Sequence, residues 1–263
     1  MPHRRVDDGG RMTISANDIP GFYWVHIFDT PPFRMFCAGD SHRYIDIVTL
    51  RHFEPTSMRL WCNLARTAST IVDIGAQEGV YSLAAAALRD DIPIHSFEPN
   101  PDAFARLAVH KRINGFQNIE LHREALADRR GVATISWVYK DGFISSGGHL
   151  GETQGRHESV LAVAEKFSNY DIKLGQRGLM KIDVEGAEAL VLRGMSLESR
   201  PDILLETFDA SNCNEWNKTI EPLGYRVWKI YERAGKIEPV DGLTPRDPKS
   251  GDFNHYLSVR DLP

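Results

Sequence analysis

Residues 71–83 read IVDIGAQEGVYSL, and this stretch decides the fold of the 263-residue chain. A short apolar run, Ile71–Ile74, is followed by a turn that holds Gly75 and Gly79, and then by an Ala-rich segment at 81–89. A buried strand, a glycine turn and a helix, in this order, are typical of the first unit of a nucleotide-binding α/β sheet.

Strands and helices are predicted to alternate from residue 70 onward. The apolar runs predict strands at 94–97, 119–122, 132–138, 179–184, 202–207, 225–231 and 255–260. Helices are expected at 81–89, at 159–167 and at 187–193, and a further helix is expected to begin after Asp102, which can cap it. Residues 145–150 are expected to form a flexible polar loop. This order predicts right-handed βαβ units in a mostly parallel sheet of seven strands, with the last strand inserted antiparallel. In such sheets ligands bind beyond the carboxyl ends of the strands.

The spacing of the glycines indicates which nucleotide fits. A dinucleotide turn needs a middle glycine so that the backbone can approach a pyrophosphate, but here Gln77 occupies that position. The turn therefore favours a ligand without a pyrophosphate, such as S-adenosylmethionine (SAM). Asp73, just before the turn, can organise the loop and attract the ligand's ammonium group.

Further candidate cofactor ligands follow the next two strands. Glu98 ends the second strand, where a carboxylate can bind both ribose hydroxyls, and Asn100 lies in the same turn. Glu124 and Ala125 follow the third strand, where an adenine edge would lie. Glu124 can accept a bond from the adenine amine, although it can equally be plain surface.

A group of carboxylates follows the strands at 179–184 and 202–207. Lys181, Asp183 and Glu185 start on one face of the first strand, and Glu206 ends the second. A buried Lys is costly unless it is paired, so Asp183 and Glu206 are its expected partners. These positions meet beyond the carboxyl ends of the strands, at the mouth of the crevice where ligands bind. Asp183, Glu206 and Glu185 are therefore candidate catalytic residues, and Asp183 is also a candidate cofactor contact.

Other candidates near the crevice carry weaker signals. The carboxylates of this region can hold Mg²⁺, although no particular metal ligands are assigned. His149 is a candidate base if the loop at 145–150 closes over a substrate, and His255 is a weaker one. Glu188 is expected to interact with a helix N-terminus.

The composition limits the classes of partner. The formal net charge is −5 and no long Lys/Arg cluster occurs, which argues against nucleic acid. We expect no membrane association and, from three widely spaced cysteines and no recognisable signal peptide, a cytoplasmic setting. Residues 1–69 are rich in aromatics and are expected to form an extension, either a lid or an arm that covers the sheet or makes a homodimer, beside a SAM-binding domain at 70–263.

Five segments together resemble the FkbM family of SAM-dependent methyltransferases. They are VDIGAQEGVYSL, FEPNPDAFARLAVHKRING, NIELHREALAD, LMKIDVEGAEALVLRGM and PDILLE, within residues 70–207. The resemblance implies the class I methyltransferase fold, which is Rossmann-like, and usually O-methylation of hydroxyls on sugars or natural products. Gln77 departs from the family, whose members more often carry Asn there; since the amide is kept, we expect altered loop packing and retained binding.

The sequence thus predicts an O-methyltransferase acting on a hydroxyl of a saccharide or glycosylated natural product, with a small-molecule or oligosaccharide substrate. Three alternatives stay open. One is an NAD-dependent oxidoreductase, which the missing middle glycine opposes. The others are a non-catalytic cofactor-binding scaffold and methylation of an amine nitrogen.

Overall fold

The computed structural model describes residues 5–6, 12–13, 20–37, 53–140, 143–150, 157–175, 177–247 and 252–263. For residues 5–6, 12–13, 137–140, 143–150 and 157–158 it describes the backbone alone.

A sheet of eight strands forms the centre of the fold, in the order β15-β14-β16-β13-β12-β5-β6-β7. Its strands are β5 (Thr70–Ile74), β6 (Ile94–Phe97), β7 (Ile119–His122), β12 (Gly178–Ile182), β13 (Asp202–Glu206), β14 (Arg226–Tyr231), β15 (Lys236–Val240) and β16 (Asn254–Ser258). The predicted count of seven was wrong, because the segment between the predicted strands at 225–231 and 255–260 contains a further strand, β15, which pairs with β14.

The five strands β7, β6, β5, β12 and β13 run parallel, as predicted. The last strand, β16, is antiparallel to both of its neighbours, β13 and β14, which confirms the expected insertion. The carboxyl ends of β5, β6, β12 and β13 therefore meet at one edge of the sheet.

Helices cover both faces of this sheet. They are α1 (Pro55–Ala65), α2 (Val80–Leu88), α3 (Pro101–Asn114), α4 (Glu188–Arg193) and α5 (Ala210–Ile220). The sheet separates two apolar cores, one containing side chains of α1 and α2 and the other side chains of α4 and α5.

A second sheet lies beside the first, in the order β10-β9-β11-β8. Its strands are β8 (Glu124–Leu126), β9 (Gly131–Lys140), β10 (Phe143–Leu150) and β11 (His157–Glu165). Two predictions were wrong here, since the expected helix at 159–167 is mostly β11 and the expected loop at 145–150 belongs to β10. In β11 the small Ala162 faces inward and Leu161 outward, so the strand has no polar–apolar alternation by which to recognise it.

Part of the N-terminal extension packs on the main sheet. Strands β1 (Arg5–Val6) and β2 (Met12–Thr13) form one pair, and β3 (Gly21–Val25) and β4 (Phe33–Cys37) form a hairpin. Val25 and Phe33 of the hairpin and Trp61 of α1 are buried in the same core as Ile71 and Leu83. Their burial contributes to the stability of the fold.

None of the helices in the described ranges combines the length and the apolar character needed to cross a lipid bilayer.

Candidate functional site

The glycine turn joins β5 to α2 in a tight left-handed path. Gly75 and Gly79 have φ angles of 79° and 89°, and Gln77 between them has 52°. Positive φ is uncommon for a residue with a side chain and is adopted most often by Asn, Asp and His, so at Gln77 the turn imposes a backbone conformation that this longer side chain rarely adopts. A Cβ on Gly79 would lie 2.2 Å from the Cδ1 atom of Leu107, so this turn also packs tightly on α3.

Asp73, near the end of β5, interacts with the helix that follows this turn. Its side chain is 1% exposed and accepts bonds from the backbone N–H of Ser82 at 3.1 Å and from the Ser82 hydroxyl at 2.6 Å. Burial raises the pKa of Asp73 to about 6, although the bonds from Ser82 and the charge of Lys181 oppose the rise. Asp73 therefore fits the loop-organising part of its predicted role.

Glu98 lies at the carboxyl end of β6, beside the glycine turn. Its carboxylate accepts bonds from the backbone N–H groups of Gln77 at 2.8 Å and Asn100 at 2.7 Å. Burial raises the pKa of Glu98 to about 7. Each oxygen holds one backbone bond and keeps a lone pair for a further donor, which suits a ligand with two adjacent hydroxyls.

The Asn100 side chain caps α3. Its carbonyl oxygen accepts bonds from the backbone N–H groups of Asp102 at 2.9 Å and Ala103 at 3.4 Å. Asp102, the predicted cap, instead lies in the first turn of the helix. Asn tolerates the extended cap conformation and supplies the short acceptor that this position requires.

Lys181 and Asp183 form a buried ion pair below the crevice, as the sequence predicts. The Lys181 Nζ atom lies 3.0 Å from Asp183 Oδ2 and 5.0 Å from the centre of the Tyr81 ring. Burial opposes the charge on Lys181, but Asp183, Glu54 and Glu206 together raise the pKa of its amine. Lys181 is therefore charged at neutral pH, with its ammonium group directly beside the Asp183 carboxylate.

Glu206 and Glu54 complete a cluster of three carboxylates with Asp183, in which one oxygen from each lies within 4.8 Å of the others. Glu206 is 8% exposed, and burial followed by the charges of Asp183 and Glu54 raises its pKa well above the usual range. Glu54, which accepts a bond from the Tyr81 hydroxyl at 2.5 Å, was not predicted. It precedes α1, far from Asp183 along the chain, and no local sequence pattern connects the two.

Arg246 lies at the mouth of the crevice and was also missed by sequence reasoning. Its Nη1 atom lies 3.5 Å from Glu185 and 3.7 Å from Glu206, and its guanidinium lies over the Phe253 ring at 4.0 Å. Glu185 thus interacts with Arg246 and is not part of the three-carboxylate cluster. The third member of that cluster, beside Asp183 and Glu206, is Glu54.

Glu188 begins α4 and lies behind the cluster. It is buried, and its Oε1 atom accepts a bond from the backbone N–H of Gly186 at 2.8 Å. Burial, with smaller contributions from Asp183 and Asp209, raises the pKa of Glu188 to about 7. The bond at the start of the helix agrees with the expected structural role.

The remaining predicted residues lie in other surroundings. Glu124 and Ala125 belong to β8 of the second sheet; the Ala125 side chain is buried there, and Glu124 accepts a bond from the Tyr170 hydroxyl. His149 is in β10 opposite Ser136, and its side chain lies outside the described part of the structure. His255 is buried in β16 with Nε2 3.3 Å from the Thr244 hydroxyl, and burial lowers its pKa to about 3.

Comparisons with known proteins agree with this geometry. Residues 73–227 match the family described as the methyltransferase FkbM domain. Over 170 residues the chain is 26% identical to the 31-O-demethyl-FK506 methyltransferase FkbM of Streptomyces tacrolimicus, a stretch that covers 52% of this chain and 64% of that protein. The chain thus spans less than two thirds of the length of this relative.

Solved structures give more distant likenesses. A SAM-dependent methyltransferase from Agrobacterium tumefaciens is 12% identical with a TM-score of 0.49, and the alignment covers 98% of this chain and 76% of that one. A SAM-dependent O-methyltransferase from Thermotoga maritima is 11% identical with a TM-score of 0.46, covering 97% of each chain. The assignment rests on the family match, which covers more than half of the residues. The chain belongs to the FkbM methyltransferase domain family.

Proposed function

We propose that this protein is a SAM-dependent O-methyltransferase whose acceptor is a hydroxyl group of a saccharide or glycosylated natural product. The observation that carries the proposal is the position of Asp183, paired with Lys181 among clustered carboxylates, at the strand ends next to the glycine turn. An alcohol holds its proton tightly at neutral pH, so its methylation benefits from a positioned base.

The residues around the glycine turn fit SAM. Glu98 is fixed by two backbone N–H groups and offers its remaining lone pairs to the ribose hydroxyls. The turn at Gly75 and Gly79 brings the backbone close to the crevice without the middle glycine that a pyrophosphate needs. When bound, SAM supplies a methyl group already activated on a sulfonium.

Asp183 is the proposed general base. It lies 3.0 Å from the Lys181 ammonium, and its side chain is about one-fifth exposed, so an acceptor can approach it. As the hydroxyl oxygen bonds to the methyl carbon, the proton passes to Asp183, and the electron pair of the broken carbon–sulfur bond stays on sulfur. Glu206, whose pKa is raised, holds its proton at neutral pH and instead orients the acceptor by hydrogen bonding.

The same carboxylates fit Mg²⁺. Glu54, Asp183 and Glu206 provide three oxygen ligands within reach of one ion, which is the donor chemistry that Mg²⁺ prefers. When bound, such an ion lowers the pKa of a coordinated hydroxyl and keeps Glu206 ionised.

One observation supports the acceptor atom. The name of the Streptomyces relative describes methylation of an O-demethyl compound, which favours oxygen over nitrogen. The saccharide class follows the family resemblance, which implies hydroxyls on sugars or natural products.

The test is methyl transfer from labelled SAM to a panel of saccharides, glycosylated natural products and matched amines, with Mg²⁺ or with EDTA. We expect label on a hydroxyl oxygen of a glycosylated acceptor, and loss of transfer in Asp183→Asn. Transfer to the amines alone would contradict O-methylation, and transfer only to unglycosylated alcohols would contradict the saccharide assignment.

A further inference from the structure

A second group of metal-type ligands lies on the edge of the main sheet, away from the cluster around Asp183. His95 projects from β6, and Glu120 and His122 project from the edge strand β7. His95 and Glu120 are register partners in the parallel pairing, and Glu120 and His122 are two residues apart on one strand. All three side chains therefore share one face of the sheet.

The donor atoms converge. His95 Nδ1 lies 3.3 Å from His122 Nε2 and 3.4 Å from Glu120 Oε2, and His122 Nε2 lies 3.8 Å from Glu120 Oε1. In a tetrahedral zinc site with metal–ligand distances of 2.0–2.1 Å, neighbouring ligand atoms are about 3.3–3.4 Å apart. The separation of the two imidazole nitrogens matches this value, and one ligand atom from each of the three residues lies within 4.8 Å of the other two.

The surroundings hold the rings in place. The His122 ring stacks on Phe97 with 4.3 Å between the ring centres, and Tyr170 contacts it edge-on at 5.1 Å. The His95 and His122 side chains are about one-tenth exposed, whereas Glu120 is 65% exposed. Two ligands are thus fixed by packing, and the third lies on the side by which an ion can enter.

We propose that His95, Glu120 and His122 form a binding site for a divalent transition metal of the zinc class. Two imidazole nitrogens and one carboxylate provide three protein ligands, which leaves a fourth position for water or an exogenous ligand. Nitrogen ligands distinguish this site from the carboxylates near Asp183, which suit Mg²⁺. The backbone also connects the site to the crevice, because the N–H of Glu98 donates to the carbonyl of His122 at 3.0 Å.

The test is titration of the chelator-treated full-length protein with Co²⁺ in excess Mg²⁺, which occupies oxygen-only sites. We expect one equivalent of Co²⁺ with the visible absorption of a tetrahedral site, displaced by Zn²⁺, and a higher melting temperature with Zn²⁺. His122→Ala should weaken this binding by at least roughly 100-fold, because loss of even an outer-shell partner can cost that much. Exposed Glu120→Ala should weaken it as well, without affecting the fold.

The matched control is His26→Ala, which removes an exposed histidine outside the cluster and should leave the titration unchanged. The proposal is overturned if wild type shows no tetrahedral Co²⁺ spectrum. It is also overturned if Glu120→Ala and the double variant His95→Ala/His122→Ala bind the same number of ions with wild-type affinity. The double variant removes two ligands at once, so other histidines of the chain cannot conceal the loss.

Discussion

The backbone of Gly75 lies directly against the carbonyl group of Asp183, so that a Cβ on Gly75 would be 1.8 Å from that oxygen. This contact fixes the glycine turn against the end of β12, which carries the proposed base. Gly75→Ala should therefore destabilise the fold by about 2–5 kcal/mol, the sum of left-handed strain and steric overlap. Urea unfolding followed by circular dichroism measures the loss.

Gly115→Ala is the matched control for this substitution. Gly115 also has a positive φ, 70°, but a Cβ there would meet no atom within 4 Å. Only the left-handed strain of about 1–2 kcal/mol should appear. Equal losses in the two variants would show that the contact with Asp183 is not what requires glycine at position 75.

Cofactor choice can be tested by thermal shift. We expect S-adenosylhomocysteine to raise the melting temperature, since the turn at Gly75, Gln77 and Gly79 suits a ligand without a pyrophosphate. At 100 times its dissociation constant, a ligand stabilises the native state by about 2.7 kcal/mol. NAD should produce no shift. If NAD stabilises the protein and S-adenosylhomocysteine does not, the result would support the oxidoreductase alternative instead.

Replacement of Glu98 should weaken the cofactor complex without unfolding the protein. Glu98→Ala removes a carboxylate proposed to accept both ribose hydroxyls, a loss of about 1.5–3 kcal/mol in binding free energy. Calorimetric titration with S-adenosylhomocysteine measures it. Asp102→Ala, at an exposed position in the same segment, is the control and should bind normally. Unchanged affinity in Glu98→Ala would exclude the ribose role.

Asp183→Asn should separate catalysis from binding. Asn keeps the size of the side chain but accepts a proton poorly, so turnover should fall by roughly 10²–10⁴-fold while affinity for S-adenosylhomocysteine stays near wild type. Glu185→Gln, at a carboxylate near Arg246 outside the three-carboxylate cluster, should lose much less activity. If Asp183→Asn lowers the melting temperature but not turnover, Asp183 only balances the charge of Lys181.

Glu188 should make stability depend on pH. Its folded pKa of about 7 lies above the ordinary value of 4.5, so the folded state holds its proton longer than the unfolded state. The stability that this group contributes is complete below about pH 4.5 and is lost as pH rises through about 7. Glu188→Gln should match wild type at pH 4.5 and exceed it at pH 8, on the order of 2 kcal/mol. A constant difference across this range would contradict the raised pKa.

Local patterns were sufficient for the parallel core of the fold. The runs around Ile71, Ile94, Ile119 and Ile203 are short, apolar and bounded by turn residues, and each is a strand. The segment around Ala162 was misread as a helix because its small residues face inward and its larger apolar ones outward. Burial there depends on the neighbouring sheet, which no local pattern encodes.

The site was predictable where its residues follow strands. Lys181 and Asp183 share one strand end, so their pairing follows from the two-residue repeat. Glu54 and Arg246 reach the same crevice from distant segments, and only the tertiary fold brings them there. His149 was assigned to a loop, but it belongs to β10. The Ser and Gly residues before it resemble a turn, and the pairing of β10 with β9 changes register between Ile144 and Gly148.

The antiparallel insertion of β16 has a consequence for shortened forms of this chain. β14 has β15 and β16 as its strand neighbours, and β16 links it to β13. A frameshift or stop codon before residue 254 would therefore not trim one edge of the sheet. It would divide the sheet into a parallel block of five strands, β7, β6, β5, β12 and β13, and a separate hairpin of β14 and β15, each with an open strand edge prone to aggregation.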